Sequence, residues 1–179
     1  MGVEKMDTVD RKTRGLAVLG TAIFLFVAPG TVAGLVPWWI GRWSFHSSVF
    51  GFTALRWIGG LLMAAGMVTL LEAFLRFALK GIGTPAPVFP TKHLVATGTY
   101  CFVRNPMYVA VVSLIIGQAL LFEDIRVFVY GLCAWLMTHL FVLTYEEPTL
   151  RRTFPDEYPI FCAHVPRWIP RMTPWNGRT

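Results

Sequence analysis

The 179-residue sequence carries little charge for its length and has no closely spaced pair of cysteines. Only 15% of its residues are charged, 55% are hydrophobic and the mean hydropathy is +0.55, values that exclude an ordinary soluble domain. The three cysteines, Cys101, Cys133 and Cys162, are far apart, so neither a disulfide framework nor a zinc site is indicated. The four histidines show no ligand spacing either. We therefore predict no metal.

The apolar residues instead occur in four long runs. A transmembrane helix needs about 20 mostly apolar residues, and the runs cover residues 16–40, 55–79, 107–122 and 127–145. We predict an all-α, polytopic integral membrane protein with about four transmembrane helices. The third run is short, and bilayer thinning or burial against the other helices would accommodate it. Length predicts one domain over residues 1–179, with an N-terminal helical hairpin over residues 1–80.

Arginine and lysine predict the orientation of these helices. They are concentrated before the first run, between the second and third, and after the fourth, which all lie on one side of a four-span protein. The positive-inside rule therefore places both termini and the loop between spans two and three in the cytoplasm. Topology and anionic lipid also explain the net charge of +6. We expect no nucleic-acid partner, because the basic residues do not cluster on one soluble face.

A polar passage between His93 and Tyr108 interrupts the apolar runs. Glycines and prolines over residues 81–100 forbid a continuing helix, so we predict an irregular cytoplasmic connector. Its backbone groups would suit a polar cofactor, although a simple linker has the same composition. At its end we expect Asn105 to cap a helix and Pro106 to occupy the first turn, which would hold Arg104 at the helix mouth.

Two pairs of ionisable residues stand near the predicted cytoplasmic ends of spans. Glu72 and Arg76 are four residues apart, as in a functional intramembrane pair or, more commonly, a pair that reaches the interface. Glu146 and Glu147 end span four, where two carboxylates oppose the helix dipole. We expect Pro148 to end the helix there, and an arginine or a cationic ligand to compensate the carboxylates.

A C-terminal amphipathic segment is predicted beyond span four. Apolar residues recur at spacings near four over residues 149–164, a pattern typical of a helix lying on the membrane. Pro155 and Pro159 prevent a long helix there.

Three motifs follow one another in the second half of the chain. They are Gly98-x-Tyr100-x-x-x-Arg104-Asn105-Pro106-x-Tyr108, Glu146-Glu147-Pro148-x-Leu150, and Tyr158 followed by Val165-Pro166-Arg167. Together they resemble the isoprenylcysteine carboxyl methyltransferase family and its phospholipid N-methyltransferase relatives, and the GTPAP and HLV elements resemble bacterial members. Each motif is weak alone, but the ordered set is specific. The likeness implies a catalytic part over residues 81–171.

The resemblance implies an integral membrane enzyme, of bacterial inner-membrane type, that methylates a lipid-like acceptor with S-adenosylmethionine and releases S-adenosylhomocysteine. It assigns the cofactor to one group of residues, namely His93, Leu94, Gly98, Tyr100, Asn105, Tyr108, Glu146 and Glu147. It assigns the acceptor side to Arg104, Arg167 and Tyr158. Transfer from a sulfonium needs alignment and exclusion of water, not a covalent nucleophile, which agrees with the lack of a Ser-His-Asp or Cys-His set.

The acceptor is open to two interpretations. Two arginines on the acceptor side favour an anionic group, so carboxyl O-methylation of an isoprenylcysteine-type substrate or a related small amphiphile is the favoured reaction. The alternative is N-methylation of a phosphatidylethanolamine-type phospholipid, for which a glutamate or tyrosine would have to assist loss of a proton. A membrane reductase that uses NADPH and a non-catalytic scaffold are less favoured.

Overall fold

The computed structural model describes Gly20, Ile23, residues 26–45, residues 53–80, Leu94 and residues 96–177. In this part of the chain the structure is helical, as predicted, with no strand. The helices are α1 (Phe26–Gly41), α2 (Thr53–Lys80), α3 (Pro106–Phe122), α4 (Ile125–Thr153) and α5 (Glu157–His164). A short 3-10 turn, Gly98–Cys101, precedes α3.

Two of the helices are long and apolar enough to cross a membrane. They are the stretch Ala54–Arg76 of α2 and the whole of α4, while α1 and α3 are apolar but shorter. Large apolar side chains point outward from α2, where Trp57 is 74% and Leu61 71% exposed. Such surfaces suit a lipid environment. The four-span topology and the cytoplasmic termini remain predictions from the sequence.

Helices α2 and α3 approach each other through glycine. A Cβ added to Gly59 would lie 2.6 Å from the Leu121 nitrogen and 2.7 Å from the Gly117 carbonyl oxygen. One added to Gly66 would lie 3.0 Å from the carbonyl oxygen of Ala110. Small residues that let backbones approach are a common basis of helix packing in membranes. Gly59 and Gly66 serve this role in α2.

Helix α1 contains a π-helical turn, Thr31–Leu35. Side chains from two other helices bind carbonyl groups in this wider turn. Gln118 Nε2 donates to the Ala33 oxygen at 2.6 Å, and the Tyr130 hydroxyl donates to the Val32 oxygen at 2.8 Å. Because a π turn disturbs the regular hydrogen-bond ladder, these contacts both satisfy its carbonyls and attach α1 to α3 and α4.

Helix α4 does not end at Pro148, so that expectation was wrong. It continues to Thr153 through a π-helical turn, Val142–Glu146, in which the Glu147 N–H bonds to the Val142 oxygen. Pro148 thereby falls in the first turn of the α-helical stretch that follows, where its missing N–H is tolerated. The extra residue in the π turn also changes the direction in which the two glutamates project.

The C-terminal segment packs on the body of the protein. Helix α5 buries Tyr158 and Phe161, each 3% exposed, in a second small core with Val165. Leu150 and Phe154 pack against the same core. The apolar face predicted over residues 149–164 is therefore present, but the protein's own side chains cover this part of it.

Substitution of Gly59 by alanine tests the α2–α3 contact. The added methyl group has no space, and overpacking of this kind costs about 1–3 kcal/mol. We expect Gly59→Ala in detergent to unfold several degrees below the wild type. Gly60→Ala is the matched control, because a Cβ at Gly60 meets no described residue within 4 Å. Equal thermal midpoints for the two variants would contradict the packing described.

Candidate functional site

A cavity of about 300 Å³ lies where the five helices meet the segment before α3. Each helix contributes lining residues, and Leu94 and Phe154 complete the wall. Along α4 the lining extends from Thr138 to Leu150, about 18 Å of helix axis. The side chains with ionisable or amide groups in the lining are Tyr100, Arg104, Asn105, Tyr108, Glu146 and Tyr158. The site thus combines a polar wall with an apolar interior.

Glu147 joins three segments of the chain beside this cavity. Its Oε1 accepts hydrogen bonds from Arg104 Nη1 at 3.2 Å and from Arg167 Nε at 2.5 Å, and its Oε2 accepts from Arg167 Nη2 at 3.1 Å. The side chains of Glu147 and Arg104 are about nine-tenths buried. The hydrogen bond to Glu147 raises the pKa of the Arg167 guanidinium. Two arginines therefore compensate one of the two carboxylates, as expected.

Glu146 is held differently and faces the cavity. The Tyr108 hydroxyl donates a hydrogen bond to its carboxyl group. Its Oε2 is buried and has no hydrogen-bond partner in the part of the chain that the structure describes, and the same is true of Arg104 Nε. A buried polar atom left unpaired costs about 1–3 kcal/mol. An acceptor and a donor in one cavity wall therefore indicate a ligand with complementary groups.

Asn105 binds across the site and does not cap α3 with its side chain. It stands at the N-cap position and Pro106 follows in the first turn, as predicted, but no side-chain cap forms. The Asn105 amide Nδ2 donates instead to the Arg167 carbonyl oxygen at 3.2 Å. The reason is the nearby C-terminal chain, whose Pro166 oxygen accepts from the Arg104 N–H at 2.9 Å.

The turn that carries Tyr100 is fixed to α2. Its first residue, Gly98, has φ +64°, and a Cβ there would lie 2.5 Å from Glu72 Oε1 and overlap the Arg76 guanidinium. Glu72 and Arg76 form the ion pair that their spacing predicts. Glu72 also accepts from the Thr99 hydroxyl at 2.7 Å. This ion pair thus also fixes the Gly98–Cys101 turn, which carries Tyr100 in the cavity wall.

Two tyrosines in the lining lie outside the long apolar helices. Burial, with the nearby Glu146 charge, raises the pKa of Tyr100 well above its usual value. Burial also raises the pKa of Tyr158, next to Cys162 and Glu147. Both hydroxyl groups therefore stay protonated at neutral pH.

Most of the predicted site residues come together. Seven of them line the cavity, namely Leu94, Tyr100, Arg104, Asn105, Tyr108, Glu146 and Tyr158. Gly98 supports the turn behind the wall, and Glu147 and Arg167 pair with each other beside the cavity. His93 lies outside the described residues.

Sequence reasoning missed the contribution of α1. Ala28, Pro29 and Val32 line the cavity, although they are far from the motifs in sequence. A proline within an apolar span was their only signal. Phe74 of α2 and Phe161 of α5 also belong to the lining. Within the described ranges, no group of three or more His, Cys, Asp or Glu side chains is arranged to hold a metal ion.

Comparison with known families gives a match over most of this site. The family model described as phospholipid methyltransferase matches residues 54–157, more than half of the chain. The matched part includes α2, the Gly98–Cys101 turn, α3 and α4. Comparisons with curated proteins and with solved structures give no match.

Proposed function

We propose that this chain, which belongs to the phospholipid methyltransferase family, transfers a methyl group from S-adenosylmethionine to the amine head group of a membrane lipid. Family membership makes it a membrane methyltransferase that acts on lipid. The cofactor, the head group and the residue roles are the proposal. The observation that carries it is the buried Glu146 Oε2 in the cavity wall, which has no hydrogen-bond partner among the described residues.

The residues of the cavity fit S-adenosylmethionine. When bound, this molecule supplies a methyl group on a positively charged sulfonium leaving group. Glu146, the one acidic residue of the lining among the described residues, offers the opposite charge. Arg104 Nε offers a donor for a carboxylate, and the Tyr100 hydroxyl offers another polar contact. Leu94 and Phe161 supply apolar surface for an adenine ring.

Methyl transfer asks the protein chiefly to align two reactants and to exclude water. Tyr158 and Phe161 of α5 are almost completely buried and form part of the lining, so α5 acts as a cover. The Glu72–Arg76 pair of α2 holds the turn that carries Tyr100. The wall is thus set by contacts that exist before a ligand binds, as preorganisation requires.

The hydrogen bonds that Arg104 and Arg167 already make favour an amine as methyl acceptor over a carboxylate. Arg167 uses Nε and Nη2 on Glu147, and Arg104 uses Nη1 on the same carboxylate. Glu147 therefore occupies three of the donor nitrogens of these two arginines, which weakens the argument for an anionic acceptor. An ammonium group must lose a proton before its nitrogen attacks the methyl carbon. We assign Glu146 as the general base that takes up this proton.

Carboxyl O-methylation is the second candidate. A carboxylate needs no base. Arg104 Nε, which has no partner in the described part of the chain, would bind a carboxylate. The two reactions give products of different chemistry, because a methyl ester is cleaved by alkali and an N-methyl group is not.

The membrane side of the cavity suits lateral access of the acceptor. Val32 of α1 lines the cavity and is 36% exposed. Thr138 of α4 also lines the cavity. A lipid that lies beside α1 and α4 would reach the cavity at these residues without leaving the bilayer.

Methyl-label transfer into a total lipid extract tests the proposed reaction. We expect label from S-adenosylmethionine to enter phospholipid in a form that resists alkali. Release of the label as methanol would assign the carboxyl reaction instead. No label in any lipid, with a folded wild-type protein, would overturn the proposal.

Glu146→Gln tests the role of the carboxylate in binding. The substitution keeps the shape but removes the charge that offsets the sulfonium. We expect affinity for S-adenosylmethionine to fall about tenfold, equivalent to roughly 1.4 kcal/mol, and affinity for the uncharged thioether of S-adenosylhomocysteine to fall much less. Calorimetric titration measures both, and exposed Glu157→Gln is the matched control. An equal loss for the two ligands would contradict this role.

A further inference from the structure

The segment 165–175, the C-terminal strap, runs beside the residues that enter α3. Its backbone pairs with that stretch at three points. Arg104 N donates to the Pro166 oxygen at 2.9 Å, Arg171 N to the Phe102 oxygen at 3.0 Å and Trp175 N to the Cys101 oxygen at 3.0 Å. The family match ends at residue 157, so the strap lies beyond the matched part of the chain.

Aromatic side chains fasten the strap at two further places. Trp168 Nε1 donates to His139 Nδ1 of α4 at 3.0 Å. Trp175 stacks on His164, with ring centroids 5.6 Å apart, and contacts Phe161 at the same separation. The strap is therefore attached to α4, to α5 and to the entrance of α3, which are three parts of the cavity wall.

Arg167 is the one strap residue that forms an ion pair with the helical body in the described part of the chain. Its fork engages both oxygens of Glu147, and its carbonyl oxygen accepts from Asn105 Nδ2. Arg167 does not line the cavity, whereas Asn105 and Arg104 do. Two of its donor nitrogens, Nε and Nη2, are thus directed at Glu147 beside the cavity.

We propose that Arg167 is a positioning residue and not an acceptor-binding residue. By holding the strap to Glu147 it sets the places of Arg104 and Asn105 in the cavity wall. The identity of the ligand in this proposal rests on the proposed function.

The charges around Glu147 explain why Arg104 depends on Arg167. Arg104 Nη1 has two partners, Glu147 Oε1 at 3.2 Å and Cys162 Sγ at 2.8 Å, while its Nε remains without a partner among the described residues. Without Arg167, the Glu147 carboxylate keeps one hydrogen bond among the described residues, the longer contact with Arg104, together with the charge of Arg151. A buried carboxylate then draws the Arg104 guanidinium toward bidentate pairing, which takes Nε out of the cavity wall. Loss of Arg167 would thus weaken binding of the cofactor, although Arg167 does not contact it.

The test combines a double-mutant cycle with two binding measurements. The variants are Arg167→Gln, Glu147→Gln and the double variant, with Arg167→Lys as the conservative change and exposed Arg152→Gln as the matched control. Calorimetry gives the affinity for S-adenosylhomocysteine, and methyl-transfer assays give KM for the lipid and kcat. Thermal unfolding of each detergent-solubilised variant shows that it is folded. If Arg167→Gln does not fold, Arg167→Lys takes its place in the comparison.

A positioning role predicts that Arg167→Gln weakens S-adenosylhomocysteine binding about tenfold, with the lipid KM changed less than twofold. The double variant should be no weaker than the worse single variant, because both changes remove one shared contact. Arg167→Lys should recover part of the affinity, and Arg152→Gln should bind as the wild type does. An unchanged S-adenosylhomocysteine affinity with a raised lipid KM would overturn the proposal in favour of acceptor binding. Failure of the wild type itself to bind would instead count against the proposed function.

Discussion

The site depends on one buried carboxylate shared by two arginines. Glu147 comes from α4, Arg104 from the entrance of α3 and Arg167 from the strap, so a single group joins segments far apart in sequence. Burial of such a group is costly unless its charge is met, and removal of either partner would leave charge unpaired. The three segments are therefore held in one arrangement, which is the arrangement that forms the cavity.

The same interaction separates the roles of two adjacent glutamates. Glu147 is neutralised by protein, whereas Glu146 keeps one oxygen free of protein partners among the described residues and faces the cavity. The π-helical turn just before Glu147 makes this division possible, because a regular turn would aim the two side chains differently. A similar turn in α1, held by Gln118 and Tyr130, contains Val32, which lines the cavity. Irregular helix is thus found on both flanks of the proposed site, in line with the frequent occurrence of π turns at functional positions.

The sequence predicts the helical class and most of the cavity wall, since apolar runs, an Asn-Pro helix start and an ordered set of motifs are local signals. The motif residues Tyr100, Arg104, Tyr108 and Glu146 do meet in one cavity. The features that could not be predicted from the sequence depend on contacts between segments that are distant in the chain. The Asn105 side chain bonds to the strap and leaves α3 uncapped because the Arg167 carbonyl is close. Pro148 stays within α4 because a π turn precedes it, and no local sequence pattern predicts that turn.

The division between Glu146 and Glu147 is the central claim, and a structure of the protein with bound S-adenosylhomocysteine tests it most directly. We expect the ligand in the cavity, with a polar group within hydrogen-bond distance of Glu146 and with the Glu147–Arg167 ion pair intact. A ligand bound to Glu147 with that ion pair broken, or bound outside the cavity, would contradict it.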